Sequence, residues 1–375
     1  MATVEKRVRN GKASYRVRYR DPAGRQRSKS FTRKVDAERW LIETENAKAK
    51  GSYVSPALGK TKFAELAERW WATCAHLRPT TRMNYRGRLD RYILPVFGPV
   101  SVAAIDRMMV REWLATMPPA TATGAVMVLK QVLDAAVDAG MLASNPAAGL
   151  RHPKVHAADK RFLTPAEIER LAQAIRAPYG TLIRFAAYSG LRRGELTGLK
   201  VCRLDLLGGK VHVVEQLTEV GGRFHTGFPK TPAGRRVVRI PRWLCEELGA
   251  YLADRPHDPS DLVFTMPMGG PLRAARFAPV IFHPAVRAAG LEPLRFHDLR
   301  HTAISLWIAQ GTNVKVVQKQ AGHENAAMTL DVYGGLYPDD VDELMERLER
   351  AHAAALVEVW PQRGPSVAQL SGSDR

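Results

Sequence analysis

From residue 190 to residue 333 the chain spaces out side chains that together could hold a phosphodiester and attack it without a metal: Arg192, Lys230, His297, Arg300, His323 and Tyr333. A guanidinium offers a planar fork of N–H donors that matches two phosphate oxygens, so a pair can neutralise charge that grows in a transition state. Lysine and histidine can pass protons. A tyrosine phenol, with a pKa of about 10 in water, can act as a covalent nucleophile once it is helped to ionise. The set suits strand transfer through a phosphotyrosine, with no metal, nucleotide or other cofactor implied.

Three longer stretches carry a resemblance to a known family. They are Ala187-Tyr188-Ser189-Gly190-Leu191-Arg192-Arg193-Gly194-Glu195-Leu196, Phe296-His297-Asp298-Leu299-Arg300-His301-Thr302, and Ala321-Gly322-His323 running on to Asp331-Val332-Tyr333. In that order, with Lys230 between the first two, they resemble the tyrosine recombinases, the phage-type integrases, and most closely those of mobile elements in high-GC bacteria. Short motifs recur by chance, so the weight lies in their order and context. The resemblance implies that Arg192, Arg300, His297 and His323 hold the scissile phosphate while Tyr333 attacks it. Lys230, on a hairpin, would protonate the leaving 5′ oxygen as general acid. Glu195 would fix a neighbour in place. The product would be a 3′-phosphotyrosyl enzyme, whose ester keeps the bond energy, so another 5′-hydroxyl can reverse the step without ATP. The family also implies a homo-tetramer on paired double-stranded DNA attachment sites, with an excisionase or a DNA-bending host factor as further partners open to it.

Each residue has a plainer reading. Arg192 and Glu195 stand three apart and could form an ordinary helical ion pair, and Arg193 suits the surface. Lys230 in Phe228-Pro229-Lys230-Thr231-Pro232-Ala233-Gly234 could be a solvated turn residue, with Lys210 a weaker competitor for its role. His297 and His301 have the i, i+4 spacing of zinc-binding helices, although a cation at Arg300 on the same side opposes a metal. Stoichiometric zinc would overturn the metal-free reading. Ala321 stands where relatives usually carry leucine. The tyrosine follows His323 by ten residues rather than the nine of many relatives, which leaves Tyr337 as an alternative nucleophile. Two other classes stay open: a DNA-binding regulator that keeps the fold without the chemistry, and a metal-dependent nuclease or transposase, which would want clustered carboxylates.

Composition agrees with a nucleic-acid partner. The 375 residues carry a formal net charge of +19 with 45% hydrophobic content, a strong positive field on a chain with normal cores. The first 60 residues hold 16 Lys and Arg against six Asp and Glu, a concentration that suggests a dedicated contact module. Cys74, Cys202 and Cys245 are widely spaced, which argues against a disulfide framework or a cysteine zinc site. No secretory h-region opens the chain and no stretch approaches a long uncharged apolar run, so the expected setting is cytoplasmic, beside the nucleoid, without a membrane partner.

The elements that must position the site read as a mainly α fold with small β elements, an α+β chain of three domains and a tail. In residues 1–55, Ser14–Arg20 alternates apolar and basic residues, Asp21-Pro22-Ala23-Gly24 signals a turn, Arg25–Phe31 reads as a strand, and Lys34–Lys50 reads as a helix burying Val35, Ala37, Trp40 and Leu41. The resemblance makes this a three-stranded sheet plus helix that binds arm-type DNA, with Arg16, Arg18 and Arg20 facing it. After a linker at Gly51–Pro56, residues 60–150 show four helical segments at Phe63–Cys74, Pro79–Ile93, Ile105–Thr116 and Ala122–Ala139, resembling a core-binding (SAM-like) domain. There Thr80, Thr81, Arg82, Tyr85 and Arg86 are candidates to meet backbone phosphates. A hinge from Asn145 to Lys160 leads to a catalytic domain, 160–345, with strands expected near Val211–Gln216 and Val237–Ile240. Thr164 is expected to cap a helix starting at Pro165. The tail, 346–375, has a helical start, and the resemblance suggests that it docks on a neighbouring subunit.

Overall fold

Alternation along the first strands decides the first layer. The computed structural model describes residues 2–9, 12–22, 24–49, 53–54, 58–150, 161–229, 231–255, 257–336 and 341–359. It divides into two compact units, one of residues 1–158 with 220–223 and one of 159–219 with 224–375. The two amino-terminal modules expected from the sequence both fall in the first.

In that unit β1 (Thr3–Arg9), β2 (Lys12–Arg20) and β3 (Gln26–Phe31) form an antiparallel sheet with β2 in the middle. The register sets Glu5 opposite Arg16 and Ser28 opposite Arg18. Side chains alternate across a strand, so Arg16, Arg18 and Arg20 share one face while Tyr15, Val17 and Tyr19 share the other. Helix α1 (Lys34–Ala49) covers the apolar face, burying Val17 and Ala37 and setting Trp40 edge-on to Tyr19 at 5.2 Å. Val35, expected in that interface, is instead 57% exposed. The inward line runs Ala37, Trp40, Leu41, Thr44, buried at its two ends and half-buried between, and a residue two positions before Ala37 falls on the opposite side of a 3.6-residue turn.

Four helical segments follow as α2 (Phe63–Thr73), α3 (Pro79–Arg88) with the short α4 (Leu94–Phe97), α5 (Arg107–Ala115) and α6 (Pro119–Asp138). The expected single helix over Pro79–Ile93 widens into a π turn at Leu89–Ile93 before α4. Phe63, Leu89, Ile93, Phe97, Trp113, Leu129 and Leu133 form their shared core. Asp106 caps α5 by accepting from the Met109 N–H at 2.8 Å. Helix α6 is long and apolar enough to cross a membrane by length and composition alone, with a mean hydropathy of 1.3 over its best window. Lys130 and Asp134 interrupt it, and its apolar face is spent on this core.

The second unit opens with α7 (Pro165–Ala174), which Thr164 caps as expected, and Glu167 returns a bond to the Thr164 N–H to complete a capping box. Then come α8 (Gly180–Ser189), α9 (Arg193–Thr197), and a sheet of β4 (Leu204–Asp205), β5 (Lys210–Val213) and β8 (Arg236–Arg239), in which Val211 faces Val238. The two expected strands are β5 and β8, but Gln216 belongs to a separate hairpin of β6 (Gln216–Val220) and β7 (Arg223–Gly227) that the sequence did not announce. Helices α10 (Arg242–Ala253), α11 (Ala274–Phe277), α12 (His283–Ala288), α13 (Asp298–Ala309), α14 (Val314–Ala321), α15 (Ala327–Tyr333) and α16 (Val341–Val359) complete the unit. α8 and α13 pack against each other at its centre, with Leu182, Phe185, Ala186 and Leu299 buried. Most of the hinge expected up to Lys160, most of the Gly51–Pro56 linker, and the end of the tail lie outside the described residues.

Candidate active site

Two helix ends make the site. Gly190 terminates α8 at φ +61° and Gly322 terminates α14 at φ +68°, both in the left-handed region where glycine is favoured. A Cβ on Gly190 would come within 2.7 Å of the Trp307 ring, and one on Gly322 within 2.9 Å of the Ala233 carbonyl oxygen. The last carbonyls of a helix lack intrahelical partners and sit at the negative end of its dipole, so cations gather there. Arg300, on α13 and buried, donates through Nη1 to the Gly190 carbonyl and through Nη2 to that of Ala321 at 2.8 Å. Arg192 donates through Nη2 to the next carbonyl, that of Gly322, at 2.7 Å. Adjacent carbonyls thus draw the two guanidiniums together.

Glu195 fixes the first of them. Its carboxylate, 1% exposed, accepts from the Arg192 backbone N–H and from Arg192 Nη1, each at 2.9 Å. Arg236 grips the same carboxylate with Nη1 at 3.1 Å and Nη2 at 3.0 Å, and donates from Nε to the Gln320 carbonyl at 2.8 Å. Burial alone would push the Glu195 carboxyl up, but the Arg236 hydrogen bonds and the charges of Arg236 and Arg192 bring it below the ordinary range. Arg236 is a residue the sequence reading missed. No local signal in the sequence points to it, because its Glu195 partner lies 41 positions away.

Mutual repulsion marks the cluster. Burial, and then the Arg192 charge, lower the Arg300 guanidinium to about 9. The His323 imidazole is depressed to about 4 by burial and by the Arg300, Arg192 and Arg236 charges, so it is neutral at pH 7. Its Nδ1 meets Thr329 Oγ1 at 2.8 Å. Tyr333, 2% exposed, packs with Ile304, Ile308, Val317 and Ala321, and burial raises its phenol well above the usual value against the opposing pull of Arg300.

The tyrosine hydroxyl meets His301 rather than His297: Tyr333 Oη lies 2.5 Å from His301 Nδ1. His297 stands just before the first turn of α13, exposed and without a side-chain capping hydrogen bond, its ring edge-on to His301 with centroids 5.1 Å apart. Desolvation by its neighbours, then Arg300, lowers its pKa, with Asp298 opposing. Arg192, Glu195 and Arg300 thus converge on the ends of α8 and α14, His323 and Tyr333 feel the Arg300 charge, and His297 touches His301, the partner of Tyr333. Lys230 and the alternative nucleophile Tyr337 lie outside the described residues. Lys210 is paired with Asp205 at 3.6 Å. Among the described residues no three His, Cys, Asp or Glu side chains gather as a metal-binding group.

The candidate phosphate contacts of the first unit differ among themselves. Arg16 donates to Ser28 Oγ at 2.8 Å, Arg18 faces Glu5 at 3.2 Å, and Arg20 reaches the Gly24 carbonyl at 3.3 Å, all on the sheet face away from α1. On α3, Arg82 lies over the Trp71 ring at 4.9 Å. Tyr85 stacks on Trp70 and accepts from Gln131 Nε2 at 3.1 Å. Arg86 is held by both Glu68 and Asp90, at 2.7 Å each. Thr80 and Thr81 are partly exposed in the first turn of α3.

A mainly helical unit with a small sheet, bringing two clustered arginines within electrostatic reach of a buried tyrosine, has the make-up of an integrase catalytic domain. Comparison with known proteins agrees. Residues 161–356 match the phage integrase family, and residues 63–153 match the phage integrase central domain. The prophage phiRv2 integrase of Mycobacterium tuberculosis is 29% identical over 84% of this chain and 87% of its own length, and the integrase of Mycobacterium phage L5 is 28% identical over 80% and 84%. Among solved structures, the integrase of the Tn1549 transposon, in complex with circular intermediate DNA, superposes with a TM-score of 0.67 at 20% identity over 76% of this chain and 99% of that one. A lambda integrase dimer bound to a core site gives 0.56 at 17% identity over 90% and 95%. The chain belongs to the phage integrase family, the tyrosine site-specific recombinases.

Proposed function

We propose that this recombinase integrates or excises a mobile element, with Tyr333 as nucleophile and Arg192, Arg300, His297 and His323 as the cradle of the scissile phosphate. The observation that carries the reading is the pair of guanidiniums drawn onto the consecutive carbonyls of Ala321 and Gly322, beside a neutral His323 and the Tyr333 network. Two cations held this close repel each other, and a phosphate between them removes that repulsion. In the cleavage step the Tyr333 Oη–phosphorus bond forms as the phosphorus–O5′ bond breaks. The phenol gives up its proton, and the departing 5′ oxygen gains one from Lys230, a role that rests on the family resemblance. Glu195 positions Arg192 and takes no part in bond making.

The remaining modules fit duplex DNA. Arg16, Arg18 and Arg20 make the sheet of residues 3–31 a basic face suited to arm-type sites. Thr80, Thr81 and Arg82 offer donors at the start of α3, with Tyr85 and Arg86 holding that helix in place. The solved relative bound to a Holliday junction is a tetramer, and assembly of four subunits on paired sites is proposed here by that likeness. An excisionase or bending protein, and a place beside the nucleoid, belong to the same proposal.

Incubation with a nicked duplex carrying its core site, in EDTA, followed by a denaturing gel, tests the reading. A covalent protein–DNA adduct is expected from the unaltered chain and none from Tyr333→Phe. A silent DNA-binding regulator would give no adduct, and a metal-dependent nuclease would be stopped by the chelator.

A further inference from the structure

We infer that His301 is a catalytic residue of this chain, the base that accepts the Tyr333 phenolic proton as the nucleophile attacks; the inference rests on the assignment of Tyr333 above. The geometry is direct. His301 Nδ1 and Tyr333 Oη are 2.5 Å apart, within the reach a general base needs. Tyr333 is packed among Ile304, Ile308, Val317 and Ala321, with the Phe162 ring 6.2 Å away, so bulk water has little access to take the proton instead. His301 and Arg300 are consecutive on α13, which ties the base and a phosphate-facing cation to one rigid element.

The surroundings can hold the charge that results. On α13 itself, Asp298 stands three positions before His301, and the two attract each other. The His297 ring meets His301 edge-on. Against these stand the Arg300 cation and, across the site, His323, which is neutral at pH 7. A neutral His301 with its proton on Nε2 presents the Nδ1 lone pair to the phenol. During cleavage the proton passes from Oη to Nδ1 while the Oη–phosphorus bond forms and the phosphorus–O5′ bond breaks. On rejoining, the imidazolium returns that proton to the departing phenolate oxygen. No further reactant is required.

The histidine pair on α13 was weighed from sequence only as a metal site. The structure gives its second member different work, with Nδ1 turned to the tyrosine.

The test is single-turnover adduct formation on the nicked duplex at saturating DNA, with His301→Gln and His301→Asn, which can accept a hydrogen bond but cannot take a proton. Each variant is expected to slow the adduct by about a hundredfold, with thermal unfolding and DNA affinity near those of the unaltered chain. Replacing Tyr333 by a ring-fluorinated tyrosine, whose phenol ionises more readily, is expected to recover most of the deficit, because an acidic phenol needs less help. Adduct rates within about threefold of the unaltered chain, below the usual range for general-base loss, would overturn the inference. So would a deficit that the fluorinated phenol leaves unchanged, since His301 would then only pack. A Tyr333→Phe chain that still forms adduct would overturn the nucleophile assignment and this inference with it, a result distinct from either of the others.

Discussion

The arginines of the catalytic unit and those of the amino-terminal sheet carry the same charge to different ends. Arg236 and Arg300 are buried, and their donors are committed to the Glu195 carboxylate and to the carbonyls of Gly190, Gln320 and Ala321. Arg16 and Arg18 stand on an open sheet face, Arg16 with a hydroxyl partner and Arg18 with a carboxylate, the latter pair some 39% and 38% exposed. Burying a cation costs several kcal/mol before its partners offset it, whereas an exposed pair contributes about 0.2–1 kcal/mol. The first arrangement specifies where a guanidinium points. The second supplies a field that any polyphosphate can enter.

The comparison predicts a split between chemistry and binding. Arg300→Ala is expected to slow adduct formation at saturating DNA by about a thousandfold, the loss of a fixed transition-state donor, while affinity changes little. Arg300→Lys should recover little, because one ammonium cannot span two carbonyls and a phosphate. The combined Arg16→Ala, Arg18→Ala, Arg20→Ala chain should do the reverse, weakening binding while leaving the saturated rate near normal. Single-turnover rates set beside fluorescence-anisotropy titrations would show it. An Arg300→Ala chain that loses affinity and keeps its rate would dissolve the distinction.

The buried carboxylate sharpens the same contrast through stability. Glu195→Ala leaves Arg236, whose side chain is 5% exposed, without its countercharge. Removing one partner of a buried pair typically costs about 3–5 kcal/mol, so urea unfolding should shift by that much. Arg236→Met added to Glu195→Ala should restore part of the loss, because the orphaned cation goes with it. A loss below about 1 kcal/mol, the exposed-pair range, would mean that water reaches the pair.

How far the sequence foretold this site follows from the reach of its contacts. Arg192, Glu195, Arg300, His323 and Tyr333 stand in words with local meaning, and the helix stops at Gly190 and Gly322 are readable from glycine alone. Thr164 announces the cap of α7 for the same reason, though the returning bond from Glu167 was not read. Arg236 was not legible, because its partner lies 41 positions earlier in the chain, a separation no periodicity records. His301 was visible as half of a histidine pair, but its partner across 32 positions was not. Arg86, offered as a phosphate contact, turns out to bridge Glu68 and Asp90; the Asp90 partner is four positions on and readable, but the Glu68 partner across α2 and α3 is revealed only by packing. The β6–β7 hairpin, five residues a strand with intermediate or exposed positions throughout, has no buried alternation to betray it.

His323 gives a smaller effect with a definite sign. Its imidazole ionises near the ordinary 6.5 when unfolded and at about 4 when folded, so between those values the unfolded chain binds the extra proton. The stability this histidine allows is fully present above pH about 6.5 and is lost as pH falls towards about 4, by up to about 3 kcal/mol in all. His323→Gln should flatten that part of a stability–pH curve measured by urea unfolding. Bound DNA should shift it to lower pH only if phosphate fails to reach the histidine, because a phosphate beside His323 favours its protonated form.

The smallest effect expected comes from single cations of the sheet, and it separates field from fixture most cleanly. Each phosphate neutralised releases counterions, so the slope of log affinity against log salt falls by about 0.9 for every contact removed. Arg16→Ala, whose partner is one serine hydroxyl, should lower the slope by roughly that amount and the affinity by no more than about tenfold at moderate salt. Arg86→Ala, whose charge is already answered by Glu68 and Asp90, should leave the slope as it was. Should both variants change the slope equally, Arg86 must abandon its carboxylates on meeting DNA, and its ion pairs would be a resting arrangement instead of a brace. An unchanged slope in both would instead take the basic sheet face out of the DNA contact altogether.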